Sequence, residues 1–377
     1  MQIRQVDLNA QNAGIRDEIG AAITSLLDDG RLVHGPQVSL LEQRFAKWCG
    51  TERAIGCGSG TAAIHLALCA LGVGHGDEVI VPAYAPIATV SPIAQTGACI
   101  VLADVDPETY TLDPQAVAEA LSPRTRAIIA VHMHGQMADL GGLNDAVQRS
   151  GAYVDIIENA AHAPGAEQGG RRAGSVGRLG TFSFAPESNL GSLGEGGALT
   201  TNDASIGERA RKLANHGRNG GPRHDLPGFN YKLDTVQAVV LLVKLKQVER
   251  WNRQRQLTAA LYDELLADMP GVRVPRVADG NSHVYRRYVI EVDDPDGLQA
   301  HLAGRGIESE RQEPMAVLFD PALRHMHHRM GALPVTERIV PRLLSLPMHP
   351  ELRADEVVRV VDGVREFLGA GVTAQAH

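Results

Sequence analysis

The sequence has no long hydrophobic run and few cysteines, and both absences restrict the class of protein. An apolar stretch such as AVVLLVKL, residues 238–245, is far shorter than the roughly 20 residues that cross a bilayer. The polar N-terminus, MQIRQVDLNAQ, lacks the pattern of a secretion signal. We therefore expect no membrane span and no membrane partner. The cysteines lack the paired spacing of metal ligands, which predicts no metal site and free buried thiols in a reducing cytoplasm; they are Cys49, Cys57, Cys69 and Cys99.

An excess of positive charge is also missing. The 377 residues carry a formal net charge of −8. Nucleic acids and anionic membranes bind basic surfaces, so neither is expected as a partner. Hydrophobic residues make up 44% of the chain and charged residues 21%, a composition that indicates an ordered globular protein with one large and one smaller domain.

Apolar runs of strand length alternate with helical patterns between Arg53 and Asn202. DEVIVPAY (77–84) and TRAIIAVHMHG (125–135) are typical of strands, and GTAAIHLALCALG (60–72) of a helix. The alternation predicts a three-layer αβα fold with a mainly parallel sheet. Ligands bind at the carboxyl ends of such strands. Polar residues are expected to converge there: His132, His134, Glu158, Asn159, His162 and the turn 183–188.

The second half of the chain has a different pattern. A helical periodicity from about residue 232 to residue 269 predicts one long helix that joins two domains. A strand near Tyr285–Val292 and helices near residues 297–303 and 354–368 predict a smaller α/β unit. We therefore divide the chain into a large domain, residues 1–245, which carries the cleft, and a small C-terminal α/β domain, residues 246–377.

Several blocks in a fixed order carry a resemblance to a known family. They are GSGTAAIHLAL at 58–68, IIENAAHAPGA at 156–166, TFSFAPESNLGSLGEGGALTTND at 181–203 and GFNYKLDTVQAVVLLVKL at 228–245. With these blocks the chain resembles the DegT/StrS family of sugar aminotransferases. The resemblance covers nearly the whole chain. It implies the aspartate aminotransferase-like fold (fold type I), a cleft for pyridoxal phosphate (PLP) and a small-molecule substrate.

The resemblance also assigns residues to the cofactor phosphate. Ser59, Gly60 and Thr61 open a predicted helix, whose first N–H groups attract an anion. The family adds the hydroxyl that matches Ser183 and, from a second copy of the chain, the asparagine that matches Asn230. The resemblance therefore implies a homodimer with composite sites. In the structural alternative, these residues only cap helices or satisfy a strand end.

Positions around the implied cofactor ring depart from the family pattern. Ser188 stands where the family has the lysine that forms an internal Schiff base, and Asn159 where it has the aspartate that keeps the ring nitrogen protonated. Serine supplies no amine, and a neutral amide cannot stabilise a pyridinium by charge. Pro86 and Ala185 replace aromatic residues that are common beside the ring. These departures predict that no cofactor is bound covalently.

From these departures, our first hypothesis is an enzyme that has lost transaminase chemistry. It would perform PLP-independent acid–base catalysis, such as isomerisation, dehydration or cyclisation, on a natural-product or sugar-like intermediate. Imidazoles and partly buried carboxylates titrate near neutral pH, so the candidate proton-transfer groups are His162, Glu187, Glu158 and His134, with Ser188 and Asn159 in the same cleft. Each group also has a structural interpretation, such as packing for His162 or support of the fold for Glu158.

Two alternatives stay open at this point. The first is a relative of the sugar aminotransferases or dehydratases that holds PLP or pyridoxamine phosphate (PMP) noncovalently. The second is a noncatalytic partner or sensor that keeps the core and the subunit interface of the family but has lost its catalytic residues.

Overall fold

Helices and strands alternate along most of the chain. The computed structural model describes residues 2–312, 314 and 316–374. The helices are α1 (Leu8–Ala13), α2 (Arg16–Asp29), α3 (Pro36–Cys49), α4 (Gly60–Leu71), α5 (Ile87–Thr96), α6 (Pro114–Ala120), α7 (Leu140–Ser150), α8 (Ala204–Ala214), α9 (Thr235–Lys244), α10 (Val248–Leu266), α11 (Pro295–Gly304), α12 (Pro334–Ile339) and α13 (Ala354–Ala374). Short 3₁₀ turns lie at Met133–Gly135, Val317–Phe319, Pro321–His325 and Val340–Arg342.

The strands form one large sheet and two small ones. They are β1 (Arg53–Cys57), β2 (Glu78–Pro82), β3 (Cys99–Ala103), β4 (Thr125–Val131), β5 (Asp155–Asn159), β6 (Glu167–Gln168), β7 (Arg171–Arg172), β8 (Leu179–Ser183), β9 (Gly197–Thr201), β10 (Asn281–Ser282), β11 (Tyr288–Glu291), β12 (Glu310–Arg311), β13 (His328–Met330) and β14 (Leu343–Leu346). The predicted domains also include residues 1, 313, 315 and 375–377, which lie outside the described residues.

The central sheet has the strand order β1-β9-β8-β5-β4-β2-β3-β13. Strand β9 runs antiparallel to both of its neighbours, and the other adjacent pairs are parallel. One apolar cluster packs α4, α5 and α8 on one face, and a second packs α3, α6, α7 and α9 on the other. The predicted three-layer αβα fold with a mainly parallel sheet is confirmed.

Helix α4 shows how the local sequence produces this layer. Its alanine- and leucine-rich sequence favours a helix. The apolar residues surround the helix, and most of them are buried. The Ser59 hydroxyl accepts a hydrogen bond from the Ala62 N–H at 3.0 Å, an N-cap that contributes about 1 kcal/mol. Gly72 ends the helix at φ +76, a left-handed conformation that glycine adopts without strain.

A separate core forms around the small antiparallel sheet β11-β14-β12. The N-terminal segment belongs to this core, because the Ile3 N–H donates to the Gly306 carbonyl at 2.8 Å and the Met348 N–H to the Gln5 carbonyl at 3.1 Å. The sequence patterns gave no sign of this contact. The proposed division at residues 245 and 246 stays a prediction.

The single long helix predicted for residues 232–269 is instead two helices. Helix α9 ends at Lys244 and α10 begins at Val248. No glycine or proline separates them, so local sequence does not explain the break. Helix α9 packs in the second cluster beside the central sheet, whereas the later part of α10, with Ala259, Tyr262 and Leu266, packs in the small core. A straight helix does not bury both surfaces, and tertiary packing overrides helix propensity.

Candidate functional site

A cleft lies where the carboxyl ends of β4, β5 and β8 meet. In the parallel register, Asn159 is opposite both Val131 and Thr181. The His132 N–H donates to the Asn159 carbonyl at 3.0 Å, and the Ala160 N–H to the Thr181 carbonyl at 2.8 Å. The sheet therefore brings the predicted polar residues to one edge, as the position of ligand sites in such folds requires.

The N-terminus of α4 and the end of β8 form a small cup. A Cβ at Gly60 would lie 2.7 Å from the Cβ of Ser183, and one at Gly197 would lie 2.3 Å from the Ser59 carbonyl oxygen. Both glycines are therefore needed for the close approach. The N–H groups of Gly60 and Thr61 have no acceptor within the helix, and the positive end of the helix dipole favours an anion at this place.

Asn159 lies at the end of β5 with an amide of defined orientation. Its Oδ1 accepts from the Ala161 N–H at 3.2 Å, and its Nδ2 donates to the Thr89 hydroxyl at 3.1 Å. Thr89 is in the first turn of α5, and its N–H donates to the carbonyl of Pro86, the residue that begins this helix. Thr89 therefore links Asn159 to Pro86, whose role beside a cofactor ring stays a prediction. The second Nδ2 hydrogen of Asn159 has no acceptor among the described residues.

Ser188 lies in the turn after β8 and is 5% exposed. Its N–H donates to the Ala185 carbonyl at 2.9 Å. Its hydroxyl has no hydrogen-bond partner within the described part of the chain. The next residue, Asn189, is fully buried and donates to the Val284 carbonyl at 2.9 Å and to Oδ1 of Asn252 at 2.8 Å. The hydrogen bonds of Asn189 therefore hold the turn in place, whereas the Ser188 hydroxyl stays free.

His134, His162 and Tyr84 form an aromatic wall. The two imidazoles stack with their centroids 6.3 Å apart, and the Tyr84 hydroxyl lies 3.0 Å from Nε2 of His134. Burial, followed by the charges of Arg286 and Arg287, lowers the pKa of His162 to about 3. Burial and the neighbouring positive groups also hold the pKa of His134 well below its usual range. Both imidazoles are therefore neutral at pH 7 and accept a proton poorly.

The carboxylate of Glu158 is enclosed by hydrogen-bond donors of the protein. Its carboxylate accepts from the N–H groups of Gly174, Val176 and Gly177 at 2.6–2.8 Å and contacts Nε2 of His132 at 2.8 Å. The carboxylate is fully buried. Because its lone pairs are occupied, Glu158 holds the turn that precedes β8 and is not oriented toward a ligand.

Two arginines that the sequence patterns did not indicate lie next to Glu187. Nη2 of Arg286 donates to Oε2 of Glu187 at 3.2 Å, and Nη1 of Arg287 donates to Glu310. Both arginine side chains are more than 90% buried, whereas Glu187 is 58% exposed. The available signal was the charged pair inside the apolar stretch VYRRYVIEV, since unpaired charges are rare in buried strands.

The lysines of the chain lie outside the turn that contains Ser188. Lys47 is exposed on α3, and Lys244 is buried on α9, where burial lowers its pKa to about 8. The remaining lysines pair with nearby polar groups: Lys212 with Asp225, Lys232 with Asn230, and Lys246 with Glu18. Asn230 is exposed in its own chain, and its predicted role toward a second copy stays a prediction.

The chain is similar to known proteins in both sequence and fold. A model of the DegT/DnrJ/EryC1/StrS aminotransferase family matches residues 14–365. The chain belongs to this family. The dTDP-3-amino-3,4,6-trideoxy-α-D-glucose transaminase of Streptomyces venezuelae is 39% identical over 362 residues, which cover 96% of this chain and 95% of that relative.

Solved structures give the same result for the fold. S. venezuelae DesV, in complex with a ketimine intermediate, has a TM-score of 0.93 and 39% identity, covering 97% of this chain and 98% of that one. NtdA from Bacillus subtilis, with bound cofactor PMP, has a TM-score of 0.86 and 26% identity, covering 94% and 82%. The aminotransferase-like α/β architecture is therefore confirmed.

These findings correct our first hypothesis. Loss of transaminase chemistry and PLP-independent acid–base catalysis is wrong as the main function, because a relative matched over nearly its whole length is a named sugar transaminase. The site geometry agrees with the correction. The pKa values of His134 and His162 are far below neutrality, and Glu158 is occupied by backbone donors. The prediction of an enzyme is supported by the relatives.

The structure also tests for metal clusters, membrane-spanning helices and disulfides. Among the described residues, no three His, Cys, Asp or Glu side chains are arranged to hold a metal ion. Within the same residues, every helix is too short or too polar to span a bilayer. The cysteines are unpaired, and only Cys69 is partly exposed.

Proposed function

We propose that this chain is a sugar aminotransferase that holds PMP or PLP without a covalent bond and acts on a nucleotide-linked sugar. The observation that carries the proposal is the intact anion cup at Gly60 and Ser183 beside a turn in which Ser188 provides a hydroxyl instead of an amine. The chain would then be a divergent family member without the Schiff-base lysine. Nucleotide-linked sugars stand in the names of several of its relatives.

The residues of the cleft fit the cofactor at both of its ends. The N–H groups at the start of α4 and the Ser183 hydroxyl suit a phosphate. At the other end, the free Nδ2 hydrogen of Asn159 suits an unprotonated ring nitrogen, which accepts a hydrogen bond without any charge. Pro86 would offer an apolar ring and His162 a neutral imidazole for packing against the cofactor. No link to Ser188 is needed for these contacts.

When bound, the cofactor supplies the amino group and an electron-withdrawing ring. The chain would contribute the orientation of the cofactor and a hydroxyl beside it. The Ser188 hydroxyl has no protein partner, so it is free to hydrogen-bond at the place where a lysine amine would stand. Glu187, adjacent in sequence, is 58% exposed and contacts Nη2 of Arg286 at 3.2 Å. Asn159 and His162 would orient the ring without adding charge to the cleft.

We also propose that the chain works as a homodimer. Leu32, Val33 and Leu193 are 49–51% exposed. Leu32 and Leu193 flank the start of α9, since the Leu32 carbonyl accepts from the Thr235 N–H at 3.1 Å and the Leu193 N–H donates to Gln237 at 3.0 Å. An exposed apolar patch of this kind supports the proposed interface, because such patches often mark protein contacts. The free thiols fit the reducing cytoplasm, where we place the protein.

Calorimetric titration of the dialysed protein with PMP tests the cofactor proposal. We expect saturable binding that dialysis reverses. Gly60→Ala should abolish it, because the added Cβ would lie 2.7 Å from Ser183. Gly20→Ala on α2 is the matched control, since a Cβ there meets nothing within 4 Å. Ser183→Ala, a smaller change, should weaken binding if Gly60→Ala does not fold.

The amino-transfer step is tested separately with a dTDP-linked 3-keto sugar, an amino acid and PMP, and the amino sugar is detected by mass spectrometry. Absence of PMP binding at millimolar concentration, or no amino sugar with any amino acid, would contradict the proposal. Recovery of wild-type protein with PLP covalently fixed by borohydride would contradict the noncovalent part alone.

A further inference from the structure

Arg286 and Arg287 are buried charges with incomplete hydrogen bonding. Both lie immediately before β11 and are 7% exposed. Among the described residues, Nε and Nη1 of Arg286 and Nε of Arg287 have no acceptor. A buried N–H of a charged group that lacks a partner is strongly destabilising. Native proteins keep such groups where a ligand completes them or where they have a functional role.

The carboxylates that face the two arginines satisfy only part of them. Glu187 contacts Nη2 of Arg286, and Glu310 contacts Nη1 of Arg287. Their side chains are 58% and 43% exposed, so each lies at the outer end of a buried guanidinium. A third buried arginine, Arg255, adds positive charge near Arg286. Burial, followed by the charge of Arg286, lowers the pKa of Arg255 to about 9, and Glu351 opposes this shift.

The backbone around these arginines is held in an unusual conformation. Tyr285 has φ 43 and His134 has φ 56, left-handed values that are uncommon for residues with a side chain. A Cβ at Gly135 would lie 2.7 Å from the Tyr285 nitrogen. The Arg255 guanidinium donates to the Tyr285 carbonyl at 3.3 Å. Strained conformations persist where surrounding contacts enforce them, and they cluster at functional sites.

The two arginines are adjacent to the cleft. Glu187, the partner of Arg286, immediately precedes Ser188. The Arg287 N–H donates to the His134 carbonyl at 3.3 Å. The charges of both arginines contribute to the low pKa of His162. A ligand group that contacts Arg286 would therefore lie next to the place where the reacting end of the cofactor is expected.

We propose that Arg286, supported by Arg287, binds the carboxylate of the α-amino or α-keto acid that donates or removes the amino group, and that Glu187 occupies this position until the substrate displaces it. The inference rests on the proposed aminotransferase function. A planar guanidinium binds a carboxylate through two parallel N–H bonds. The Glu187 carboxylate has the same chemistry as the ligand. Because it is exposed, it moves aside and uncovers donors that are unpaired in its presence.

The test is calorimetric titration with 2-oxoglutarate, performed on the cofactor-free and on the PMP-loaded protein. Arg286→Gln should weaken binding about tenfold or more, because charge-assisted hydrogen bonds are lost. Glu187→Gln should strengthen it several-fold, because the internal competitor is removed. General damage to the fold does not produce these opposite effects. Arg342→Gln is the matched control, since Arg342 lies beside the same small sheet with its own partners, Glu291 and Asp293.

The outcomes separate this inference from the proposed function. Equal affinity of all variants for 2-oxoglutarate overturns the inference, whereas PMP binding is measured independently and tests the function. UDP-glucuronate and UDP-glucose form a second pair of probes. Discrimination by Arg286 between these two sugars, without an effect on 2-oxoglutarate, overturns the assignment to the amino-group donor and moves the carboxylate to the sugar. If Arg286→Gln does not fold, Glu187→Gln at its exposed position still decides, because unchanged affinity there contradicts displacement.

Discussion

The carboxylate of Glu158 lies 2.8 Å from Nε2 of His132, and neither side chain is exposed to solvent. Burial by itself raises the pKa of Glu158, but the contact with His132 and the N–H groups of Gly177 and Gly174 hold it below its ordinary value. Nδ1 of His132 accepts in turn from the Ala138 N–H at 3.1 Å. The pair therefore ties β5 to two turns at the base of the cleft.

Glu158→Gln should lower the free energy of unfolding by about 3 kcal/mol, because an amide N–H₂ would then face backbone N–H groups that have lost a charged acceptor. Urea denaturation measures the change. Glu167→Gln is the control, because Glu167 pairs with Arg172 near the surface. Its free energy of unfolding should stay within about 0.5 kcal/mol of the wild type. Wild-type stability of Glu158→Gln combined with loss of activity would instead indicate a catalytic carboxylate.

Ser188→Lys should restore covalent capture of PLP. The Ser188 hydroxyl has no partner to lose, and the nearby charge of Arg286 together with burial favours the neutral, nucleophilic form of an introduced amine. After borohydride reduction, mass spectrometry should find the cofactor attached at position 188 in this variant. Ser188→Ala is the control and should carry no label. Labelling of the wild type at another lysine, such as the buried Lys244, would show that the noncovalent proposal is wrong.

His162 should make stability dependent on acid pH. Its pKa is lowered from 6.5 to about 3 in the folded chain, so between these values the unfolded state binds a proton that the folded state does not. The contribution of His162 to the free energy of unfolding is constant above about pH 6.5, and it lowers that free energy as the pH drops toward 3. His162→Gln should reduce this slope by up to about 1.4 kcal/mol per pH unit.

Unfolding curves at pH 8 and at pH 5 measure the effect of His162. At pH 8 the imidazole is neutral in both states, so the difference between the two proteins there reports only lost packing. The prediction fails if the difference in stability between the wild type and His162→Gln is the same at both pH values.

Leu32→Asp should dissociate the proposed homodimer, because the interface would bury a carboxylate without a partner. Sedimentation velocity should then show a monomer where the wild type shows a dimer. Val358→Asp is the matched control, since Val358 is 42% exposed on α13, away from the patch of Leu32, Val33 and Leu193. A wild-type protein that sediments as a monomer at all concentrations would contradict the interface.

Local pattern decided much of the fold. The alternation of strands and helices predicts the αβα layers, and parallel strands bring Asn159 and Ser183 to the same edge whatever the details of packing. The Ser59 cap and the Gly72 terminus of α4 are equally local, because the groups that they satisfy lie within a few residues. The ordered sequence blocks identified the family for the same reason.

The first functional hypothesis went wrong where it inferred chemistry from residue type alone. Histidines and carboxylates at strand ends indicate acid–base catalysis only if they titrate near neutral pH. Burial moved His134 and His162 far from that range, and backbone donors from a turn 16–19 residues away occupied Glu158. Neither effect is visible in a local pattern.

The sequence by itself determined which segments are strands or helices, which faces are apolar and which residues lie at the strand ends. Only the tertiary structure decided the break between α9 and α10, the packing of Ile3 in the C-terminal core and the pairing of Arg286 with Glu187, 99 residues apart. The physical reason is the range of the interactions. Periodicity and capping act over a few residues, whereas the partner of a buried charge is set by whatever distant segment the folded chain places beside it.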